Sequence, residues 1–147
     1  MKGKKWFLSL LCMMIFAAAS VPALAEESYP DLFAFKIITS KTGYNSNVVN
    51  KVIGTTYARA VITGVYKINI FGGKGGETNA VTNFIVINGN NGAQISGENT
   101  ASNHQSFSVP YTAAGIQYHG ATILRGNSTT SDPHYWVCGS WSPNQFQ

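Results

Sequence analysis

The residues of this chain that are best suited to contact a ligand lie close together near its C-terminus. His134, Tyr135, Trp136 and Trp141 fall within eight positions of one another. Aromatic rings stack on the apolar faces of sugars, and polar neighbours bind the sugar hydroxyls. The same side chains also suit the interfacial zone of a lipid membrane. We therefore take these four residues as the candidate ligand-binding set, with burial of both tryptophans in a small core as the alternative.

This segment has the composition of a strand, so its side chains alternate between two faces. The faces are His134, Trp136 and Cys138 on one side and Tyr135, Val137 and Trp141 on the other. One face must contact the core of the domain. The other is left for a second sheet or for a ligand.

The chain is poor in patterns that support catalysis. No two carboxylates are spaced so that they would face each other across a cleft, as glycoside hydrolysis requires. His104, His119 and His134 form no His-x-His or similar metal-binding motif. Folding could still bring two carboxylates together, and neighbouring strands could bring together a Cys138 nucleophile and His119 as its base. We predict a non-enzymatic protein with no catalytic residues, no metal site and no cofactor.

The first 25 residues have the three parts of a secretory signal peptide. Three lysines among the first five residues precede an apolar run from Trp6 to Val21, and Ala23-Leu24-Ala25 supplies a small-x-small cleavage site. We expect cleavage near Ala25. The mature protein would then be a single exported domain of residues 26–147, secreted or periplasmic.

Cleavage would change both the charge and the thiol content of the protein. Three of the ten basic residues lie in the leader, so the mature chain has seven basic and six acidic residues, 7 − 6 = +1. Nucleic-acid binding needs a basic patch that releases counterions, so we predict no nucleic-acid partner. Cys12 would leave with the leader. Cys138 would then have no disulfide partner, and we expect a buried, unreactive thiol because no Lys or Arg lies near it in sequence.

Short β-branched and aromatic runs alternate with segments rich in Asn, Gly, Ser and Thr, which predicts many short strands. The predicted strands cover residues 32–39, 57–71, 81–88, 93–96, 106–111, 116–125 and 134–141. Gly64 marks a bend or bulge in the second of these. Residues 72–76, which include four glycines, are expected to form a mobile hairpin loop.

These elements predict an all-β fold, a single antiparallel β-sandwich or flattened barrel of about seven or eight strands. One segment has helical character, near residues 47–53. Ser46 would cap this short helix, and Gly54 would follow it in the left-handed conformation.

The leading functional prediction is a secreted, non-enzymatic binding protein that recognises a glycan or another cell-surface component. The alternative is a small secreted membrane-active toxin of the β-pore type. It is suggested by the Gly-rich loop, the low charge and the long alternating segment 57–71. A small secreted hydrolase is the third interpretation. Membrane contact is therefore one expected interaction, and the oligomeric state is left open.

Overall fold

A computed structural model describes residues 31–40, 43–131 and 133–145 of the chain. The predicted signal peptide, residues 1–25, lies outside the described residues. Within them, ten strands and one short helix form two antiparallel sheets that pack face to face. The all-β sandwich predicted from the sequence is therefore confirmed.

The strands are β1 (Asp31–Ile37), β2 (Tyr44–Asn45), β3 (Val49–Lys51), β4 (Tyr57–Ile68), β5 (Lys74–Glu77), β6 (Thr82–Asn88), β7 (Asn99–Ala101), β8 (Ser106–Pro110), β9 (Gly120–Ser128) and β10 (Tyr135–Gln145), with helix α1 (Ala113–Gln117) between β8 and β9. The first sheet has the order β1-β10-β4-β5, and β8 also pairs with β4. The second sheet has the order β2-β9-β6-β7, and β3 also pairs with β9. In each sheet, therefore, two short strands share one long neighbour.

The core lies between the sheets and is centred on aromatic rings. Phe33 stacks on Phe35 with 4.9 Å between ring centroids, and Phe33 contacts Phe84 of the second sheet edge-on at 6.0 Å. Phe84 contacts Phe107 at 4.7 Å. These rings come from β1, β6 and β8, so the alternation of apolar residues in each strand builds one shared core.

An irregularity in β4 keeps its second half in register with the core. Gly64 lies opposite Cys138 and Ile62 lies opposite Gly139, so Thr63 has no partner in β10. This bulge allows both Ile62 and Val65 to be buried. The bend or bulge predicted at Gly64 is confirmed.

The short helix predicted near residues 47–53 is wrong. Residues Val49–Lys51 form β3, which pairs with β9. Gly54 does adopt a positive φ of 85°, but it does so in a turn between two strands. Turns and helix ends use the same left-handed glycine, so this local signal could not distinguish them.

The helix of this fold, Ala113–Gln117, overlaps the first two residues of the predicted strand 116–125, so the start of that strand is corrected to Gly120. The hydroxyl of Thr112 accepts a hydrogen bond from the Gly115 backbone N–H at 3.1 Å and caps α1. Gly115 packs on the backbone of Ile95, where a Cβ atom would collide with the carbonyl oxygen. Five residues are too few to produce a helical pattern in the sequence.

Lys51 joins β3 to the end of this helix. Only 2% of its surface is exposed. Its Nζ donates to the carbonyl oxygens of Val52 at 3.0 Å, Tyr118 at 3.1 Å and Ile116 at 3.4 Å. The ammonium also lies 4.5 Å from the centroid of the Tyr111 ring. Burial lowers the pKa of Lys51 below that of an ordinary lysine.

We predict that Lys51→Met lowers the free energy of unfolding by roughly 2 kcal/mol, because the carbonyls of Ile116 and Tyr118 lose a charged donor. Urea unfolding followed by tryptophan fluorescence measures the change. Lys67→Met, at an exposed position of β4, is the matched control and should change stability little. Equal stability of the Lys51→Met and wild-type proteins would contradict this role.

Comparison of the wild type with Lys51→Met also predicts how the free energy of unfolding depends on pH. Because the pKa of Lys51 is lower in the folded state, the unfolded chain binds more protons between the folded value and about 10.5. The stability of the wild type relative to Lys51→Met should therefore rise with pH in that window. Measurements below about pH 10 avoid ionisation of the tyrosine side chains. Burial raises the pKa of Tyr111 above the ordinary tyrosine value, so this residue ionises only at a still higher pH. A relative stability that falls with pH would contradict the assignment.

Candidate functional site

The structure separates the four residues predicted to bind a ligand. Trp141 is fully buried in the core. Tyr135 is also buried, and its hydroxyl lies 3.1 Å both from the carbonyl oxygen of Val81 and from Oγ1 of Thr82. Trp136 is half-buried on the face of the first sheet that points away from the second, and His134 is exposed just before β10. Of these four residues, only Trp136 and His134 are thus available to a ligand.

Trp136 belongs to a row of side chains that crosses four strands. It lies opposite Lys36 of β1 and opposite Tyr66 of β4. The Nζ of Lys36 is 5.8 Å from the Trp136 ring centroid, and the Nζ of Lys74 is 5.4 Å from the Tyr66 ring centroid. We call Lys36, Trp136, Tyr66 and Lys74 the cation–aromatic row. Cation–π attraction holds each ammonium group beside a ring.

The turn between β4 and β5, residues 69–73, lies at one end of this row and is called the hairpin tip. The backbone N–H of Gly72 donates to the carbonyl of Asn69, and Oδ1 of Asn69 accepts from Phe71 and Gly73, all at 2.9 Å. Gly72 has a φ of 79°, which glycine adopts without strain. The loop predicted over residues 72–76 is therefore wrong in position, because Lys74–Glu77 is already a strand.

The hairpin tip presents two large apolar side chains to solvent. Ile70 is 92% exposed and Phe71 is 90% exposed. The carbonyl of Gly72 accepts a hydrogen bond from Nε1 of Trp136 at 3.4 Å, and a Cβ atom on Gly72 would lie 2.9 Å from Nζ of Lys36. The tip is therefore attached to the cation–aromatic row. Its hydrogen bonds keep the apolar pair on the outside.

Three lysines surround the base of the tip. Lys36 and Lys74 lie on the outer face of the first sheet, whereas the exposed Lys67 precedes the tip in β4 and pairs with Tyr135. One carboxylate, that of Glu77, belongs to β5 and lies opposite Tyr66; it is 3.2 Å from the Asn103 side-chain amide and 3.2 Å from the His104 ring. The described charges beside the tip are thus mainly positive.

Cys138 is buried, as predicted, but its surroundings differ from those expected. It lies between Ala34 of β1 and Gly64 of β4, on the floor of a shallow depression of about 330 Å³ that Lys74 also lines. A hydrogen bond with the Cys138 sulfur raises the pKa of Lys74. No Lys or Arg lies near this thiol in sequence, but the β4–β5 hairpin brings Lys74 over it in the fold.

Cys138 and His119 do not form the catalytic pair considered from the sequence. His119 immediately precedes β9 of the second sheet. Cys138 lies on the outer face of the first sheet, in the same row as the exposed Ala34. The core of the sandwich separates the two side chains.

We predict that burial keeps the Cys138 thiol unreactive in the folded protein. With a chromogenic disulfide reagent, the native protein should react more than about tenfold more slowly than protein in guanidinium. Cys138→Ser gives the background of the assay, including any contribution from Cys12. Equal rates in both states, or a disulfide-linked dimer on a non-reducing gel, would contradict the prediction.

A second surface, on the second sheet, is polar. It is an open groove of about 480 Å³ lined by Asn83, Glu98, Asn99, Thr100, Ser128 and Thr129. Nδ2 of Asn83 donates to the carboxylate of Glu98 at 3.2 Å. Amide, carboxylate and hydroxyl groups of this kind bind sugar hydroxyls, although no aromatic ring lines the groove.

Comparisons with known proteins do not extend this description. No protein-family model, characterised protein or solved structure matches the chain. Among the described residues, no three His, Cys, Asp or Glu side chains lie close enough together to hold a metal ion. No helix in the same part of the chain has the length and apolar character needed to cross a bilayer.

Sequence reasoning missed Ile70, Phe71 and Lys74 as members of a site. Ile70 continues the alternation of Tyr66 and Ile68, so it was assigned to the end of a strand. The available signal was the Gly-Gly pair directly after Phe71, which favours a turn at that point. The position of Lys74 beside Tyr66 and Cys138 depends on strand pairing, which the sequence does not reveal.

Proposed function

We propose that this protein is a secreted, non-enzymatic binding protein that docks on the surface of a lipid membrane through its hairpin tip. The observation that carries this proposal is the near-complete exposure of Ile70 and Phe71 on an ordered turn. The hydrogen bonds of the turn fix its backbone in a conformation that leaves both side chains exposed. They are therefore available to an external apolar phase.

The energetics of transfer support membrane docking. Full burial of a side chain such as Ile or Phe contributes about 1.5–3 kcal/mol. Insertion of both residues would therefore supply several kcal/mol without any change in the sandwich. Trp136 and Tyr66 lie just behind the tip, and amphipathic rings are favoured at the level of the lipid headgroups.

Membrane docking is better supported than glycan binding at the terminal aromatic strand. Two of the four residues in that set, Tyr135 and Trp141, are part of the core. Lys36 lies over the ring of Trp136, where a sugar would have to stack. Docking on a bilayer requires no flat aromatic surface. It does require exposed apolar groups, and the tip provides them.

We predict that Ile70→Ser/Phe71→Ser weakens binding to phospholipid vesicles by about tenfold or more, since both apolar groups are removed. Co-sedimentation with vesicles over a range of lipid concentrations measures the affinity. Val52→Ser/Ile53→Ser is the matched control. It removes two exposed apolar side chains near Asn144, at the opposite end of β10.

The proposal would be overturned if the Ile70→Ser/Phe71→Ser variant bound vesicles as tightly as the wild type. It would also be overturned if the wild type bound no vesicles. Dye-filled vesicles separate simple docking from the toxin prediction made from the sequence. Docking leaves the dye inside. Release of dye by the wild type but not by the tip variant would favour a membrane-active toxin that uses the same surface.

A second candidate function is glycan binding in the polar groove of the second sheet. The groups of Asn83, Glu98 and Thr100 that line this groove support it. On a glycan array, Glu98→Gln should weaken any signal because a charged acceptor is lost. Glu77→Gln, a carboxylate outside the groove, is the control. A wild-type protein that binds no glycan would remove this candidate.

A further inference from the structure

We infer that the hairpin tip selects membranes that carry anionic lipids, and that Lys36, Lys67 and Lys74 bind the lipid headgroups. This inference rests on the proposed function, because it assigns a lipid class to the same docking surface. The occupant is an anionic bilayer, and the argument for it is charge complementarity around an apolar tip.

The first step of the argument is position. Nζ of Lys36 lies beside Gly72 of the tip, and Lys74 is the first residue after the tip. Lys67 lies two residues before it, on a strand position whose neighbour in β10 is Tyr135. When Ile70 and Phe71 enter the apolar phase, the Lys36 ammonium and the backbone positions of Lys67 and Lys74, which flank the tip, are therefore carried toward the headgroups. Lysines at this level interact with phosphate and carboxylate groups.

The second step of the argument is the orientation of the lysine side chains before binding. Two of the ammonium groups are already held beside aromatic rings, at 5.8 Å for Lys36 and at 5.4 Å for Lys74. A lysine that is oriented before binding loses less side-chain entropy when it meets an anion. The cation–aromatic row thus prepares Lys36, whose ammonium lies beside Gly72 of the tip, for headgroup contact.

The third step is the distribution of charge over the molecule. The chain after Ala25 has a net charge of only +1, from 7 − 6 as counted above, so overall charge provides weak attraction to an anionic surface. The local placement of the lysines around the tip must provide this attraction instead. Three other described basic residues lie away from the tip: Arg59 pairs with Ser142, Arg125 donates to Asn45 at 2.8 Å, and the buried Lys51 donates to the carbonyl of Tyr118.

Each lysine near an anionic membrane surface contributes about 1 kcal/mol, so three give roughly a hundredfold preference over a neutral membrane. The purified protein should therefore bind vesicles with about a third phosphatidylserine far more tightly than vesicles of phosphatidylcholine alone. Raising the salt concentration should reduce this preference and leave the phosphatidylcholine affinity nearly unchanged.

Lys36→Gln/Lys67→Gln/Lys74→Gln should lose the preference for phosphatidylserine while it keeps the affinity for phosphatidylcholine. The triple Lys→Arg variant should retain the preference, because the charge is kept. Circular dichroism shows whether the triple variants fold. Single variants provide a second comparison: Lys67→Gln should lower the preference by about fivefold and Arg59→Gln should leave it unchanged.

The outcomes distinguish this inference from the proposed function. Equal binding to both vesicles, with dependence on Ile70 and Phe71, would overturn the lipid selection and leave membrane docking intact. No binding to either vesicle would overturn both. A preference that survives in Lys67→Gln and is insensitive to salt would overturn the role of the lysines. Full affinity of the Ile70→Ser/Phe71→Ser variant for anionic vesicles would show that the lysines bind without the tip, which also contradicts the inference.

Discussion

The register of β10 between β1 and β4 is the constraint on which both the core and the candidate site depend. β10 pairs with β1 from Tyr135 to Trp141 and with β4 over nearly its whole length. Because side chains alternate along a strand, this register sends Trp141 into the core and Trp136 to the outer face. Lys36 and Tyr66 then become the neighbours of Trp136 without any further interaction. The core and the outer row are two consequences of one set of backbone hydrogen bonds.

The bulge at Thr63 extends that register through the second half of β4. A slip of one residue moves every following side chain to the opposite face of a sheet. With Thr63 unpaired, Val65 faces the core and Tyr66 faces outward beside Trp136. Without the bulge, the Tyr66 ring would point inward and Val65 would be exposed. One residue outside the ladder therefore decides whether the hairpin carries an aromatic ring on its outer face, where Lys74 can reach it.

The sequence was sufficient for elements whose alternation is strong and incomplete for those that depend on distant partners. Phe33, Phe35 and Ile37 repeat with a period of two, which predicts one shared face, and all three are buried in β1. By contrast, the local pattern around β3 predicts a helix, because Val48, Val49, Val52 and Ile53 also fit a helical face. Its strand pairing with β9 is stabilised by residues about seventy positions away, such as Thr122, whose hydroxyl donates to Val49 at 2.6 Å. The site was missed for the same reason. Strand pairing, and no local pattern, brings Lys74 to Cys138 and Tyr66 to Trp136.

An exposed apolar pair also carries a liability, since such groups promote aggregation when they are contiguous and unprotected. Here Ile70 and Phe71 are only two residues, on a turn whose polar groups are bonded within the turn itself. Lys67 and Lys74 flank the turn, and charged residues beside exposed apolar strand ends discourage edge-to-edge pairing. These lysines would therefore oppose contact between two tips, because like charges repel. In the proposed docking, the same charges would also attract the anionic surface, so one arrangement of charge around the apolar tip would have both effects.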